Sequence, residues 1–281
     1  MRRTPHHRNG PVAEFPIGCG VNGGEFIITE HLYGEPEAGI FRGRVGGAPD
    51  GQAVLITTGT AQADVFAAVF ERLEFDGIDG VSELLCINRL DTDELRRDAM
   101  VEVEPEGQPI SSLVGTLSPP SVLSVGSQLA QLLSDAEFLD EAMVGLRPEL
   151  IYVDAGADEV AFTGTAPRSA LFWAGMKPTS IGVPPCFDVS YLAPEVLAVK
   201  PVHIAADLFS VCAMLAEWAS GQYPFTTPPP SPLLAPLLGT RVPWTGPREL
   251  GAVLDRGLDK DPEGRINVDD LIAALAKLQP V

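Results

Sequence analysis

The sequence predicts an α+β fold in which a strand-rich first part is followed by a helical second part. Residues 40–45 alternate apolar and polar side chains, as a half-buried strand does, and residues 53–58 form a second run of β-favouring residues. The glycine-rich turn 46–51 between them favours a hairpin. Residues 205–219 are instead apolar on every side of a helix, which is typical of a helix buried at the centre of its domain.

The other predicted elements follow the same division along the chain. In the first part we expect strands near 26–28, 84–87 and 100–103 and a helix near 63–73. In the second part we expect short strands at 151–153 and 160–162 and helices near 121–133, 248–257 and 267–278. Asn267 and Asp269 are both candidate caps of the last helix. Residues 226–247 are rich in proline, which favours an irregular surface connection over a polyproline ligand for an aromatic groove.

The composition limits the classes of function. The chain has 281 residues, of which 45% are hydrophobic and 20% charged, and its formal net charge is −19 at pH 7. Nucleic acids and anionic membranes attract proteins with an excess of Lys and Arg, so we expect neither as a partner. A solvated acidic surface explains the charge more simply than a dedicated site for a basic partner. No run of about 20 apolar residues occurs, so no transmembrane helix is expected.

The four cysteines are far apart in the sequence, at Cys19, Cys86, Cys186 and Cys212. None belongs to a Cys-x-x-Cys pair, so the sequence predicts no zinc site. Residues 1–8 are basic, but no apolar stretch follows them, so they do not resemble a secretory signal. These observations predict a reduced, cytoplasmic protein. Residues 1–24 are rich in Gly, Pro and His, so we expect them to form a flexible leader.

Three motifs in the second half of the chain occur in a specific order. They are Tyr191-Leu-Ala-Pro-Glu195, Asp207 in the apolar helix, and Leu258-Asp-Lys-Asp-Pro-Glu-Gly-Arg265. They resemble the Ala-Pro-Glu motif, the Asp that begins the central helix, and the late Leu-x-x-Asp-Pro-x-x-Arg element of eukaryotic-type protein kinases. The resemblance extends over residues 26–278.

The resemblance implies a two-lobed, protein-kinase-like fold. Its parts are a strand-rich small lobe at 25–103, a hinge at 104–107 and a helical large lobe at 108–281. It also implies a structural ion pair between Glu195 and Arg265, and it implies that Asp207 holds the backbone of the loop that is catalytic in active kinases.

The chemical positions of the kinase catalytic loop are not matched. Residues 147–149, Arg-Pro-Glu, resemble the middle of that loop. The position of the catalytic Asp is occupied by Gly145, and the position of the metal-binding Asn by Leu150. Neither Gly nor Leu can accept a proton from a substrate hydroxyl or bind a metal ion.

The other two charged positions of a kinase site are also altered. The magnesium-binding Asp falls on Gly164, or on Thr163 in a register shifted by one, and the phosphate-binding lysine falls on Thr57. No lysine precedes Lys177. Phosphoryl transfer needs a metal ion and a cation to neutralise charge, so the resemblance implies a catalytically inactive member, a pseudokinase.

A pseudokinase acts through binding, so we expect a scaffold or allosteric regulator that contacts protein partners in signalling, with no cofactor and no metal ion. Leu171, Phe172 and Trp173 are unusually apolar for a loop. We expect them to fill the empty cleft rather than to form a partner-binding patch.

The sequence also allows two alternatives to a pseudokinase. In the first, a nucleotide binds at the hinge near Glu102 and Glu104, and the chain is a nucleotide sensor or a residual kinase. Arg42 or Arg44, which alternation places on one strand face, would then contact the phosphates. A solvated strand face is the simpler explanation of both arginines. The second alternative is a purely structural subunit.

Overall fold

The computed structural model describes the greater part of the chain. The described residues are 20–21, 24–35, 38–59, 80, 82–92, 95–113, 115–138, 146–154, 159–163, 189–198, 200, 202–226 and 235–279. The predicted helix at 63–73 lies outside these ranges.

The first part of the chain forms a six-stranded antiparallel sheet. Its strands are β1 (Gly20–Val21), β2 (Phe26–Glu35), β3 (Ala38–Val45), β4 (Ala53–Gly59), β5 (Leu84–Thr92) and β6 (Leu95–Val103). They lie in the order β1-β2-β3-β4-β6-β5. The predicted hairpin is confirmed as β3 and β4, in which Ile40 lies opposite Thr57. Strands β5 and β6 extend further than predicted because they form a long hairpin in which each supplies the hydrogen bonds of the other.

The described remainder contains a second, three-stranded sheet and six α-helices. The strands are β7 (Gln108–Pro109), β8 (Ile151–Val153) and β9 (Val160–Phe162). The helices are α1 (Pro119–Phe138), α2 (Pro194–Leu197), α3 (Ile204–Ser220), α4 (Ala235–Leu238), α5 (Arg248–Gly257) and α6 (Val268–Leu278). The molecule is therefore a mixed α+β protein, as predicted.

Helix α3 is the centre of the helical core. Twelve of its 17 residues are buried, including Phe209, Cys212 and Leu215, and none is exposed, which confirms the prediction from its all-round apolar sequence. The neighbouring helices approach it closely where glycine replaces a larger residue. A Cβ on Gly126 of α1 would lie 2.9 Å from the Leu215 side chain, and one on Gly257 of α5 would lie 2.2 Å from the Cys212 sulfur.

The ends of the last helix decide between its two candidate caps. The side chain of Asn267 accepts a hydrogen bond from the backbone N–H of Asp270 at 2.7 Å, so Asn267 is the N-cap of α6. Asp269 lies within the first turn, where a negative charge is favourable but does not cap the helix. The region 226–247, predicted to be irregular, contains the short helix α4, whose Ala235 and Pro236 are buried.

Candidate functional site

The candidate site lies where the two sheets meet. Ile40 of β3 and Leu55 of β4 form one apolar cluster with Leu150 and Tyr152 from the second part of the chain. None of these four residues is more than 4% exposed. Leu32 and Ala161 pack against the cluster from its edge. We call these four buried residues the inter-sheet cluster.

Local structure explains how these side chains come together. In the β3–β4 pairing, Arg42 lies opposite Leu55, and Ile40 lies two residues from Arg42 on the same strand face. Leu150 ends a short 3₁₀ turn that begins at Pro148, and Tyr152 follows in β8. The inter-sheet cluster therefore surrounds the side chain of Leu150 with apolar residues.

A buried polar contact also links the two sheets. Thr163 follows β9, and its hydroxyl donates a hydrogen bond to a carboxylate oxygen of Glu102 in β6 at 2.8 Å. Both residues are buried. The backbone N–H of Thr163 bonds to the carbonyl of Leu150 at 3.1 Å, so this contact is adjacent to the inter-sheet cluster. Breaking such a bond in the interior is costly, because the separated donor and acceptor have no water to bond with instead.

Arg42 is engaged in an ion-pair network within the first sheet. Its Nε donates to both carboxylate oxygens of Glu104, at 2.9 and 2.8 Å, and its Nη2 donates to Oε1 at 2.8 Å. Its Nη1 contacts Glu30 of β2. The hydrogen bonds from Arg42 to Glu104 raise the pKa of this guanidinium above its usual value. The donors of Arg42 therefore face two carboxylates of this chain.

Arg44 forms a hydrogen bond within the same sheet. Its Nη1 donates to the backbone carbonyl of Gly51 at 2.9 Å and so stabilises the β3–β4 turn. Thr57 lies in β4, where its backbone pairs with Met100 of β6. Gly145, Gly164 and the segment Leu171-Phe172-Trp173 lie outside the described residues.

A second group of predicted residues meets in the helical part. Arg265 forms a bidentate pair with Glu195, with Nη1–Oε1 at 2.6 Å and Nη2–Oε2 at 2.8 Å. It also donates to the backbone carbonyls of Ala205, at 2.7 Å, and Asp259, at 2.8 Å. The side chains of Arg265 and Glu195 are 1% and 5% exposed. Arg265 therefore joins α2, the first turn of α3 and the segment that follows α5, because its planar guanidinium matches both the carboxylate and the nearby carbonyls.

The remaining predicted structural residue is at the start of α3. Asp207 lies in the first turn of that helix and is fully buried. Arg147, in the segment that resembles the catalytic loop, is also buried, and its Nε lies 3.7 Å from a carboxylate oxygen of Glu149. Charged side chains are rarely buried this deeply unless they are paired, so we assign both residues a structural role within the fold.

An open groove of about 610 Å³ lies beside the Glu195–Arg265 pair. Its lining combines apolar side chains of α3 and α6 with the charged residues Glu137, Lys200, Lys260 and Glu263. Lys260 is held in place, since its Nζ donates to the backbone carbonyls of Leu237 and Gly239. We call this surface the α3–α6 groove.

Several features of the site escaped sequence reasoning. The inter-sheet cluster joins residues more than 90 positions apart, and nothing in their local sequence indicates the contact. The bond between Glu104 and Arg42 joins residues 62 positions apart, and the alternation of charges on β3 signalled only that Arg42 shares a face with Arg44.

Within the described part of the chain, no three or more His, Cys, Asp or Glu side chains come together as a metal site requires. No described helix is both long enough and apolar enough to span a bilayer. Neither a model of a known protein family nor a curated protein matches the sequence of this chain.

Proposed function

We propose that this chain is a two-lobed, protein-kinase-like domain without catalytic activity, which acts as a scaffold or allosteric regulator by binding other proteins. Its small lobe corresponds to residues 25–103 and its large lobe to residues 108–281. The order of an antiparallel sheet, a short connecting segment and a helical part supports this assignment. The buried bidentate pair of Glu195 and Arg265 supports it as well, because the resemblance implies such a pair.

The inter-sheet cluster is the observation that carries the proposed loss of activity. In the proposed fold, a nucleotide would lie between the two sheets. Here Ile40 and Leu55 pack directly against Leu150 and Tyr152. A nucleotide at this place has to replace the contacts between these side chains, so the apolar burial that it gains, at roughly 25 cal/mol per Å², is offset by the burial that the cluster loses.

Electrostatics supports the same proposal. A triphosphate and its metal ion need a cation and at least one acidic or amide ligand near the cleft. Arg42 is engaged with Glu104 and Glu30, and Arg44 with Gly51. Leu150 has no metal-binding atom in its side chain.

Protein binding is the activity that remains for such a domain. The net charge of −19 disfavours nucleic acids and anionic membranes as partners. The α3–α6 groove, which is lined by both apolar and charged residues, is a described surface of the kind that protein partners use. Free Cys86 and Cys212 are compatible with the reducing cytoplasm that we propose as the location.

Nucleotide titration tests the proposal directly. We expect ATP and ADP, with and without Mg²⁺ or Mn²⁺, to leave the melting temperature unchanged and to give no heat in calorimetry. A ligand present at 100 times its Kd adds about 2.7 kcal/mol to the unfolding free energy, so binding is readily detected.

A metal-dependent shift in melting temperature would favour the nucleotide sensor instead. In that case Arg42→Ala and Arg44→Ala identify the arginine that contacts the phosphates, because its removal abolishes the shift. Transfer of phosphate from radiolabelled ATP to any acceptor would overturn the assignment as an inactive domain altogether.

A further inference from the structure

Residues 104–107, which join the last strand of the first sheet to the second sheet, are anchored at both ends. We call these residues the connector. We infer that the connector is rigid and holds the two sheets in one fixed arrangement, and that the ion pair between Arg42 and Glu104 keeps it in place. The inference does not depend on the proposed function, because a rigid connector is compatible with a protein that binds nucleotide or with one that does not.

The first end of the connector is tied to three strands. The backbone N–H of Glu104 donates to the carbonyl of Ala53 at 3.0 Å, which continues the ladder between β4 and β6. The Glu104 carboxylate accepts three hydrogen bonds from Arg42 of β3, and Arg42 also contacts Glu30 of β2. Glu104 therefore cannot rotate away from the first sheet unless a bidentate ion pair breaks.

The second end of the connector is pressed against the second sheet. Gly107 has a φ of +96°, a conformation that side chains rarely adopt. A Cβ at this position would lie 2.2 Å from the carbonyl oxygen of Val153. The next two residues pair with β8, Gln108 with Val153 and Pro109 with Tyr152. No side chain separates the connector from β8 at this point.

The interior of the molecule reinforces the same arrangement. The Glu102–Thr163 hydrogen bond and the inter-sheet cluster join the two sheets on the inner side of the connector. Separating the two sheets would break these contacts together with the hydrogen bonds that anchor the connector. Enzymes that close over a substrate rely on hinge residues that absorb large changes in φ and ψ. This connector is built in the opposite way, so a partner meets both sheets in one fixed relative position.

Hydrogen exchange tests the role of Arg42 without any nucleotide, so its result is separate from that of the nucleotide titration. In the native protein, the amides of Val103 and Glu104, which donate to the carbonyls of Glu83 and Ala53, are expected to exchange slowly. Arg42→Ala should accelerate that exchange at least about tenfold, because local opening no longer breaks a charge-assisted pair. The amides of α3 should be unaffected.

Arg241→Ala is the matched control. Arg241 forms an ion pair with Asp255 and is 30% exposed, compared with 31% for Arg42, but it lies in the helical part. This variant should leave the amides of Val103 and Glu104 protected. If Arg42→Ala does not fold, Arg42→Lys keeps the charge, loses the bidentate geometry and should still accelerate exchange.

A distance measurement tests the fixed arrangement itself. Spin labels at Ala48→Cys and Asp269→Cys, both exposed positions, report on the first sheet and on α6 in a background without the native cysteines. We expect one narrow distance distribution that broadens when Arg42→Ala is added. A broad distribution in the protein with Arg42 intact, or equal connector exchange with and without Arg42, would overturn the inference.

Discussion

At the scale of single residues, two arginines with carboxylate partners differ in what they contribute because they differ in burial. The side chain of Arg265 is 1% exposed, and that of Arg241 is 30% exposed with a partner, Asp255, that is 62% exposed. An exposed pair is weakened by water and salt. A buried pair leaves an uncompensated charge in the interior when one member is removed.

We therefore predict a large difference between two substitutions of the same type. Arg265→Ala should lower the free energy of unfolding by about 3–5 kcal/mol, because Glu195 remains buried without its cation. Arg241→Ala should lower it by roughly 0–1 kcal/mol. Urea denaturation followed by circular dichroism measures both values, and equal losses would show that burial does not govern the contribution of Arg265.

At the scale of elements, the packing of α3 against α5 depends on a small residue on each helix. Gly257 of α5 faces Cys212 of α3 with no space for a Cβ between them. Burial at this crossing raises the pKa of the Cys212 thiol to about 12 from an ordinary value of 9.0. The helix contact thereby excludes the charged thiolate from the folded state.

The raised pKa predicts a loss of stability in alkaline solution. The unfolded chain releases the Cys212 proton near pH 9, whereas the folded chain keeps it until about pH 12. Between these values the unfolded state binds fewer protons, so stability falls as pH rises, by at most about 1.4 kcal/mol per pH unit. Urea denaturation between pH 8 and 11, with the extra loss absent in Cys212→Ala, measures this contribution. An identical pH dependence in the variant would contradict it.

At the scale of the whole molecule, the inter-sheet cluster couples the first part of the chain to the second. Leu55 faces this cluster, while its neighbour Ile56 faces a separate core formed within the first sheet. The two residues are buried to the same degree, so they report on different interfaces at equal burial.

We predict that the native protein unfolds in one transition and that Leu55→Ala separates it into two. All three tryptophans, Trp173, Trp218 and Trp244, lie in the second half, so their fluorescence reports on that half, whereas far-ultraviolet circular dichroism reports on the whole chain. Leu55→Ala and Ile56→Ala should each lower the free energy of unfolding by about 2–5 kcal/mol. In Ile56→Ala, however, the unfolding transitions measured by the two probes should still coincide. Non-coincident probes in the native protein would disprove the coupling.

The sequence by itself determined the class of the fold and most of its elements. Alternation at 40–45 identified β3, the all-round apolar run at 205–219 identified α3, and Asn267 was a candidate cap of α6. These features follow from local periodicity and capping chemistry, which act over a few residues. Strand ends were less accurate, since the extension of β5 and β6 comes from their mutual pairing.

Only the tertiary structure decided how the candidate site is filled. Arg42 could have faced solvent or a ligand, and it is the approach of Glu104, 62 residues away, that engages it. Leu150 and Tyr152 likewise meet Ile40 and Leu55 only after the chain has folded. Contacts between distant segments depend on how whole elements pack against each other, and the local pattern of residues does not predict that packing.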